Sequence, residues 1–216
     1  MTKFELSCAA NHLVRAYGIV ARDYYQRLTG FSVGQVPCRV VKLQADAPQT
    51  LAQMRVSIEH GPLVITSEHS ETSIYGLSGN ILFRLFHDLG HLWYGLDTTH
   101  EDELSLAKLH WADLRGHIPA LWREHCQHVF FADTAAQSQH AAERGCFPTD
   151  QKAFVKSVAS DLLLGNTRSF SQAIEWYYER QGVQRACAEI QQVREHAASI
   201  TGAHRDLHRG PARRLC

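Results

Sequence analysis

Apolar side chains recur at steps of three and four residues over most of this chain, a period that commits it to packed amphipathic helices. Between residues 3 and 28, Phe4, Leu6, Leu13, Val14, Tyr17, Val20, Ala21, Tyr24 and Leu28 form such a stripe, and Thr29-Gly30 ends it. The period then changes. Val36 to Leu43 is short and valine-rich, which predicts a strand; Pro48 to Ile58 reads as a short helix, and Leu63 to Thr66 as a second strand between Gly61-Pro62 and a polar stretch. From Ser78 onward the helical period returns. Ser78 or Asn80 is the expected cap of a helix carrying Ile81, Leu82, Leu85, Phe86, Leu89 and Leu92, closed by Gly95. Thr98 with Glu101 three residues later predicts a capping box at the start of a helix running toward Gly116. Further helices are expected over 118–144, 149–164, 169–180 and 183–200, separated by glycines. The fold class is α+β and predominantly α-helical, with a small strand-containing N-terminal part packed on a helical body.

A chain of 216 residues is long enough to bury a full core, so one domain over 1–203 is expected, followed by a basic tail over 204–216. The tail carries Arg205, Arg209, Arg213 and Arg214 and reads as a solvated terminus. Twenty-two basic and 22 acidic residues cancel, so no overall field recruits nucleic acid or an anionic membrane. No segment has the length and apolarity of a membrane span, and the N-terminus lacks the apolar core of a signal peptide. Six scattered cysteines without a CxxC pair fit reduced thiols. A soluble, cytoplasmic protein is the expectation, with no membrane or nucleic-acid partner, an unknown substrate and an oligomeric state that the sequence does not give.

Histidine is the unusual component, at 14 residues, and two of these lie in His87-Asp88-Leu89-Gly90-His91. Residues four apart on a helix differ by about 40° around the axis and about 6 Å along it, so both imidazoles share a face. That is two-thirds of a metal site, which needs a third protein ligand. Glu101 and Glu103 follow ten and twelve residues after His91, beyond a short turn that makes the two helices antiparallel neighbours. Glu103 is the preferred ligand, because it shares a face with Ala107 and His110 while Glu101 is claimed by the capping box. His110 is an expected second-layer neighbour.

HDLGH followed by THEDELSLA resembles the HExxH zinc hydrolases whose third ligand is a glutamate on a following helix, the gluzincin type, over about 20 residues. The resemblance implies metal-assisted hydrolysis, with His87, His91 and Glu103 (or Glu101) binding one divalent ion, zinc first and manganese or iron as alternatives, and Asp88 as base. Asp88 stands where that family has glutamate, and one methylene fewer shortens its reach by roughly 1.5 Å. HDLGH also resembles the HDxGH form of HD-type metal phosphohydrolases, in which Asp88 is itself a ligand. An upstream histidine, His60 or His69, and a downstream aspartate, Asp113 or Asp161, then complete the site. A non-haem iron centre is a third reading of two histidines with carboxylates.

A non-enzyme reading stands beside these: an interaction protein with a structural ion or none, whose Asp88 pairs with Arg84. Arg84 also suits an anionic ligand. Elsewhere, Glu124 and His128 with His125 read as solvated or locally paired. Trp93, Trp111, Trp122, Trp176, Tyr177 and Tyr178 read as core aromatics, and the turn from Tyr75 to Asn80 as a plain turn and cap.

Overall fold

The computed structural model describes residues 1–182. The expected helix from Val183 to Ile200, the basic tail 204–216, Cys187, Cys216 and the end of the expected 1–203 domain lie outside the described residues. Residues 1–174 form one compact unit, and those from Glu175 onward belong to a second, of which 175–182 are helical.

The first unit opens on helix α1 (Lys3–Thr29). Its start is a reciprocal capping box: the Glu5 amide donates to Thr2 Oγ1 at 3.2 Å and the Thr2 amide to the Glu5 carboxylate at 2.7 Å. Gly30, at φ 79°, ends the helix with its amide on Gln26 O. Strand β1 (Cys38–Val41), helix α2 (Leu51–His60) and strand β2 (Leu63–Thr66) follow, and the strands pair in parallel with Cys38 opposite Leu63. Every residue of β2 is buried, which its unbroken apolar run requires. β1 is shorter than the expected Val36 to Leu43, and α2 starts from a Thr50 cap rather than near Pro48.

The helical body consists of α3 (Gly76–Tyr94), α4 (His100–Leu114), α5 (Arg123–Asp133), α6 (Ala135–Arg144) and α7 (Gln151–Leu163), and residues 170–174 close the unit in helical conformation. α1 packs mainly against α3 and α5, with Tyr17 and Tyr24 stacked on Phe86 at ring-centroid distances of 4.9 and 5.9 Å. Tyr17, Phe86, Phe130 and Phe154 are fully buried. At roughly 1.5–3 kcal/mol for each buried apolar side chain of this size, such contacts are the main force holding the helices together.

In the helical body three further boundaries differ from expectation. α3 begins at Gly76, so Ser78 and Asn80 lie inside its first turns; Asn80 donates to Ser70 Oγ at 3.0 Å instead of capping. The cap of α4 is Thr99, which accepts from the Asp102 amide at 3.2 Å, one residue later than the expected Thr98–Glu101 box. The single helix expected over 118–144 is broken at Thr134 (φ −112°, ψ −82°), whose hydroxyl turns back onto Phe130 O at 2.7 Å. No helix among the described residues is long and apolar enough to cross a membrane.

Candidate metal centre

α3 carries the histidine pair, and the turn after it brings the carboxylate. Gly95, at φ 67°, reverses the chain, and the next residues are held from several sides. Asp97 accepts from the amides of Leu51 and Thr98 at 3.1 and 2.9 Å, its own amide donates to the Asp102 carboxylate at 3.0 Å, and Thr98 Oγ1 donates to Gln49 O at 3.1 Å. The turn is thereby tied to α2 and to the first turn of α4, which fixes where Glu103 falls.

It falls on the histidine face. His87 Nε2 lies 3.3 Å from Glu103 Oε2, His91 Nε2 lies 3.3 Å from Glu103 Oε1, and the two imidazole Nε2 atoms are 3.1 Å apart. Glu103 thus offers a different oxygen to each imidazole, and with one ligand atom taken from each residue all three atoms lie within 4.8 Å of one another, close enough that they could hold a metal ion. Nδ1 of His91 sits 2.9 Å from Leu96 O, which makes that nitrogen the donor and leaves the Nε2 lone pair directed at the cluster. Among the described residues this is the one group of three or more potential ligands that converges. Glu101 is exposed and outside it.

Glu103 is largely removed from solvent, and among the described residues its cationic partners are the two imidazoles. Burial pushes its carboxyl upward, but His87 and His91 outweigh this and hold it well below the usual carboxylate range. The imidazole of His87 responds in the opposite sense: burial disfavours its charge, and the Glu103 carboxylate more than offsets that, raising its pKa. The cluster therefore holds a carboxylate and demands a cation, either a proton on an imidazole or a metal ion among all three groups.

His110 lies beneath. It is fully buried against Phe86 and His87, at centroid distances of 4.2 and 5.6 Å, and among the described residues neither ring nitrogen has a hydrogen-bond partner. Burial, reinforced by His87 and His91, pushes its pKa well below the ordinary value, so it is neutral. It touches α3 at Gly90, where a Cβ would stand 1.9 Å from His110 Nε2. Only glycine at that position lets the helices approach this closely.

The cluster opens into a cavity of about 920 Å³. Asp88 faces this space. Burial pushes its carboxyl up to about 6, against the pull of His87, His91 and Arg84. Arg84 does not form the expected ion pair with Asp88: its guanidinium donates to Gln44 Oε1 and Glu68 O, each at 3.0 Å, at the cavity wall. Sequence reasoning missed Asp133 on α5 and Gln137 on α6, which also line the cavity; no local motif marks them, since fold contacts alone bring them there.

Of the residues proposed for an HD-type site, His60 bonds Val56 O at 2.8 Å outside the cavity, and Asp113 accepts from the hydroxyls of Tyr24 and Tyr94 at 2.5 Å each. Asp161 accepts from Asn166 on α7, whereas His69 lies at the cavity rim in left-handed conformation, φ 59°. None of the four joins the cluster. His125 lies 4.0 Å from Glu5 and edge-on to Trp122, so the Glu124 group serves local contacts. Trp111 packs on Phe130, and Trp93 lies under Arg27 at 5.2 Å; neither tryptophan lines the cavity. In comparison with known proteins, no family model, curated protein or solved structure matches this chain.

Proposed function

We propose that this protein is a metal-dependent hydrolase in which His87, His91 and Glu103 hold one divalent ion, zinc first among the candidates, at the wall of the cavity. The reading is carried by one observation: two imidazole Nε2 atoms and a carboxylate converge within 3.1–3.3 Å of one another beside a cavity of about 920 Å³. Three protein ligands leave coordination positions open, and a bound ion lowers the pKa of a water held there to around 7. Asp88, with a carboxyl raised to about 6, is matched to accept that proton near neutral pH. Its position next to His87 on α3 supports a base over a ligand, because it stands outside the converging group.

The experiment is metal analysis of protein purified without a polyhistidine tag, followed by calorimetric titration of the chelated protein with zinc, manganese and ferrous iron. Binding of about one ion per chain is expected, followed by turnover of phosphoester or carboxylic-ester model substrates. Failure to take up any of the three ions sinks the reading. Asp88→Asn then separates two roles: metal kept with turnover lost identifies a base, and metal lost identifies a ligand of the HD type.

The same triangle favours a second reading, since two histidines and one carboxylate on one face with open positions also suit ferrous oxygen chemistry. Oxygen consumption by the iron form, with the zinc form inert toward every ester, selects it.

A further inference from the structure

A second carboxyl faces the same cavity from another direction. Asp133 closes α5, just before the break at Thr134, and lines the cavity that His87 and Asp88 line from α3. It is fixed in place. Gln137, one turn on in α6, donates to Asp133 Oδ1 at 2.8 Å, and the Tyr75 hydroxyl lies close enough to the same carboxyl to act on its charge. The Tyr75 hydroxyl is in turn 2.7 Å from that of Tyr17, and both rings pack against Phe83. The paired tyrosine hydroxyls therefore stand beside Asp133, whose charge acts on both.

We propose that Asp133 is the second acid–base group of the cavity, a carboxyl seated by Gln137 that exchanges a proton with an oxygen or nitrogen of the ligand bound beside His87. The O–H bond at Asp133 breaks as the new O–H or N–H bond forms on the ligand, and the carboxylate recovers its proton from water in the cavity. This rests on the hydrolase reading, where Asp88 takes the proton of the attacking water and a separate acid serves the leaving group. Groups facing Asp133 among the described residues are Tyr75 and Tyr17, Gln137 from α6, and Arg84 and His87 from α3. Burial outweighs the pull of Tyr75 and Gln137 and the charges of Arg84 and His87, and pushes the Asp133 carboxyl up to about 7. It therefore holds a proton to give near neutrality. A carboxylate present only to anchor Gln137 has no need to face a cavity.

The test uses the full chain labelled with ¹³C at aspartate carboxyls, with Asp133→Asn assigning the signal. Expected are a midpoint near neutrality in metal-free protein, a further rise in Tyr75→Phe, which removes the pull of that hydroxyl, and a downward shift on loading zinc. A midpoint in the ordinary carboxylate range, or one indifferent to zinc in protein that binds it, overturns the proposal. Acetohydroxamate binding to the cobalt-loaded protein supplies the second readout. Above the Asp133 midpoint, affinity of the native chain falls by up to about tenfold per pH unit relative to Asp133→Asn, because only the native chain gains a negative charge there. Parallel profiles overturn the proposal. A native chain that binds no metal sinks the hydrolase reading alone, and the NMR midpoint then decides Asp133.

Discussion

Glu103 is the residue on which the site turns, because its carboxylate is drawn out of water with two imidazoles within 3.3 Å and, among the described residues, no lysine or arginine paired with it. Glu103→Gln keeps the shape and removes the charge. It is expected to weaken zinc binding by more than the ~10–100-fold that follows loss of an outer-layer partner. His87→Ala and His91→Ala are expected to do the same, whereas Glu101→Gln, altering an exposed side chain outside the cluster, leaves affinity within about twofold of the native chain. Titration of each chelated variant with zinc checks this, and equal losses for Glu101→Gln and Glu103→Gln contradict the assignment. The convergence of these three side chains was legible in the sequence for a simple reason. His87 and His91 follow from helical spacing alone, and Glu103 from the short turn plus a face shared with His110. The choice of Glu103 rested partly on a capping box for Glu101 that does not exist, since Thr99 and Asp102 make the cap.

Helices bring those residues together only because α3 and α4 approach closely, and Gly90 sets the distance. The middle of a helix is an unfavourable place for glycine, by about 1 kcal/mol relative to alanine, so Gly90→Ala on an isolated helix would stabilise. Here a Cβ would stand 1.9 Å from His110 Nε2, and overpacking reverses the sign. A loss of about 1–3 kcal/mol is expected from urea unfolding, with weaker metal binding as the helices part. Adding His110→Ala removes the obstacle, so the double variant is expected to regain much of what Gly90→Ala loses; additive losses contradict the contact. A milder test lies at the start of α4. Thr99→Ala deletes the cap that holds the turn before Glu103, with an expected loss of about 1 kcal/mol in the same assay. Element types were readable from periodicity, but this contact was not: Gly90 is one letter of a motif until α4 is laid beside it. The break at Thr134 was hidden likewise, because both helices around it carry the same apolar period.

At the scale of the whole molecule the cavity is assembled from the turn before α2, β2, the face of α3, the start of α4, the junction of α5 and α6, and the segment after α6. No sequence window holds more than a fraction of it, which is why Asp133 escaped a reading based on spacing. That carboxyl also gives the fold a pH signature. Its folded value of about 7 lies above the ordinary 3.8, so between these values the native state binds more protons than the unfolded chain. A raised carboxyl contributes its stability in full below the unfolded value, and loses it as pH rises through the folded one. His110 acts with the opposite sign: its imidazole stays neutral when folded, so stability falls as pH drops below the ordinary histidine value and the unfolded chain takes up a proton. The two slopes overlap in the native chain, but the comparison with Asp133→Asn isolates one of them. Asparagine keeps an acceptor for Gln137 and cannot ionise. Relative to the native chain, Asp133→Asn is therefore expected to be more stable at pH 8 than at pH 4, the difference of differences reaching at most about 4 kcal/mol for a shift of about three units. Urea unfolding of both chains at the two pH values measures it. A pH-independent difference means that Asp133 ionises alike in the folded and unfolded chains, and the cavity then has no second acid.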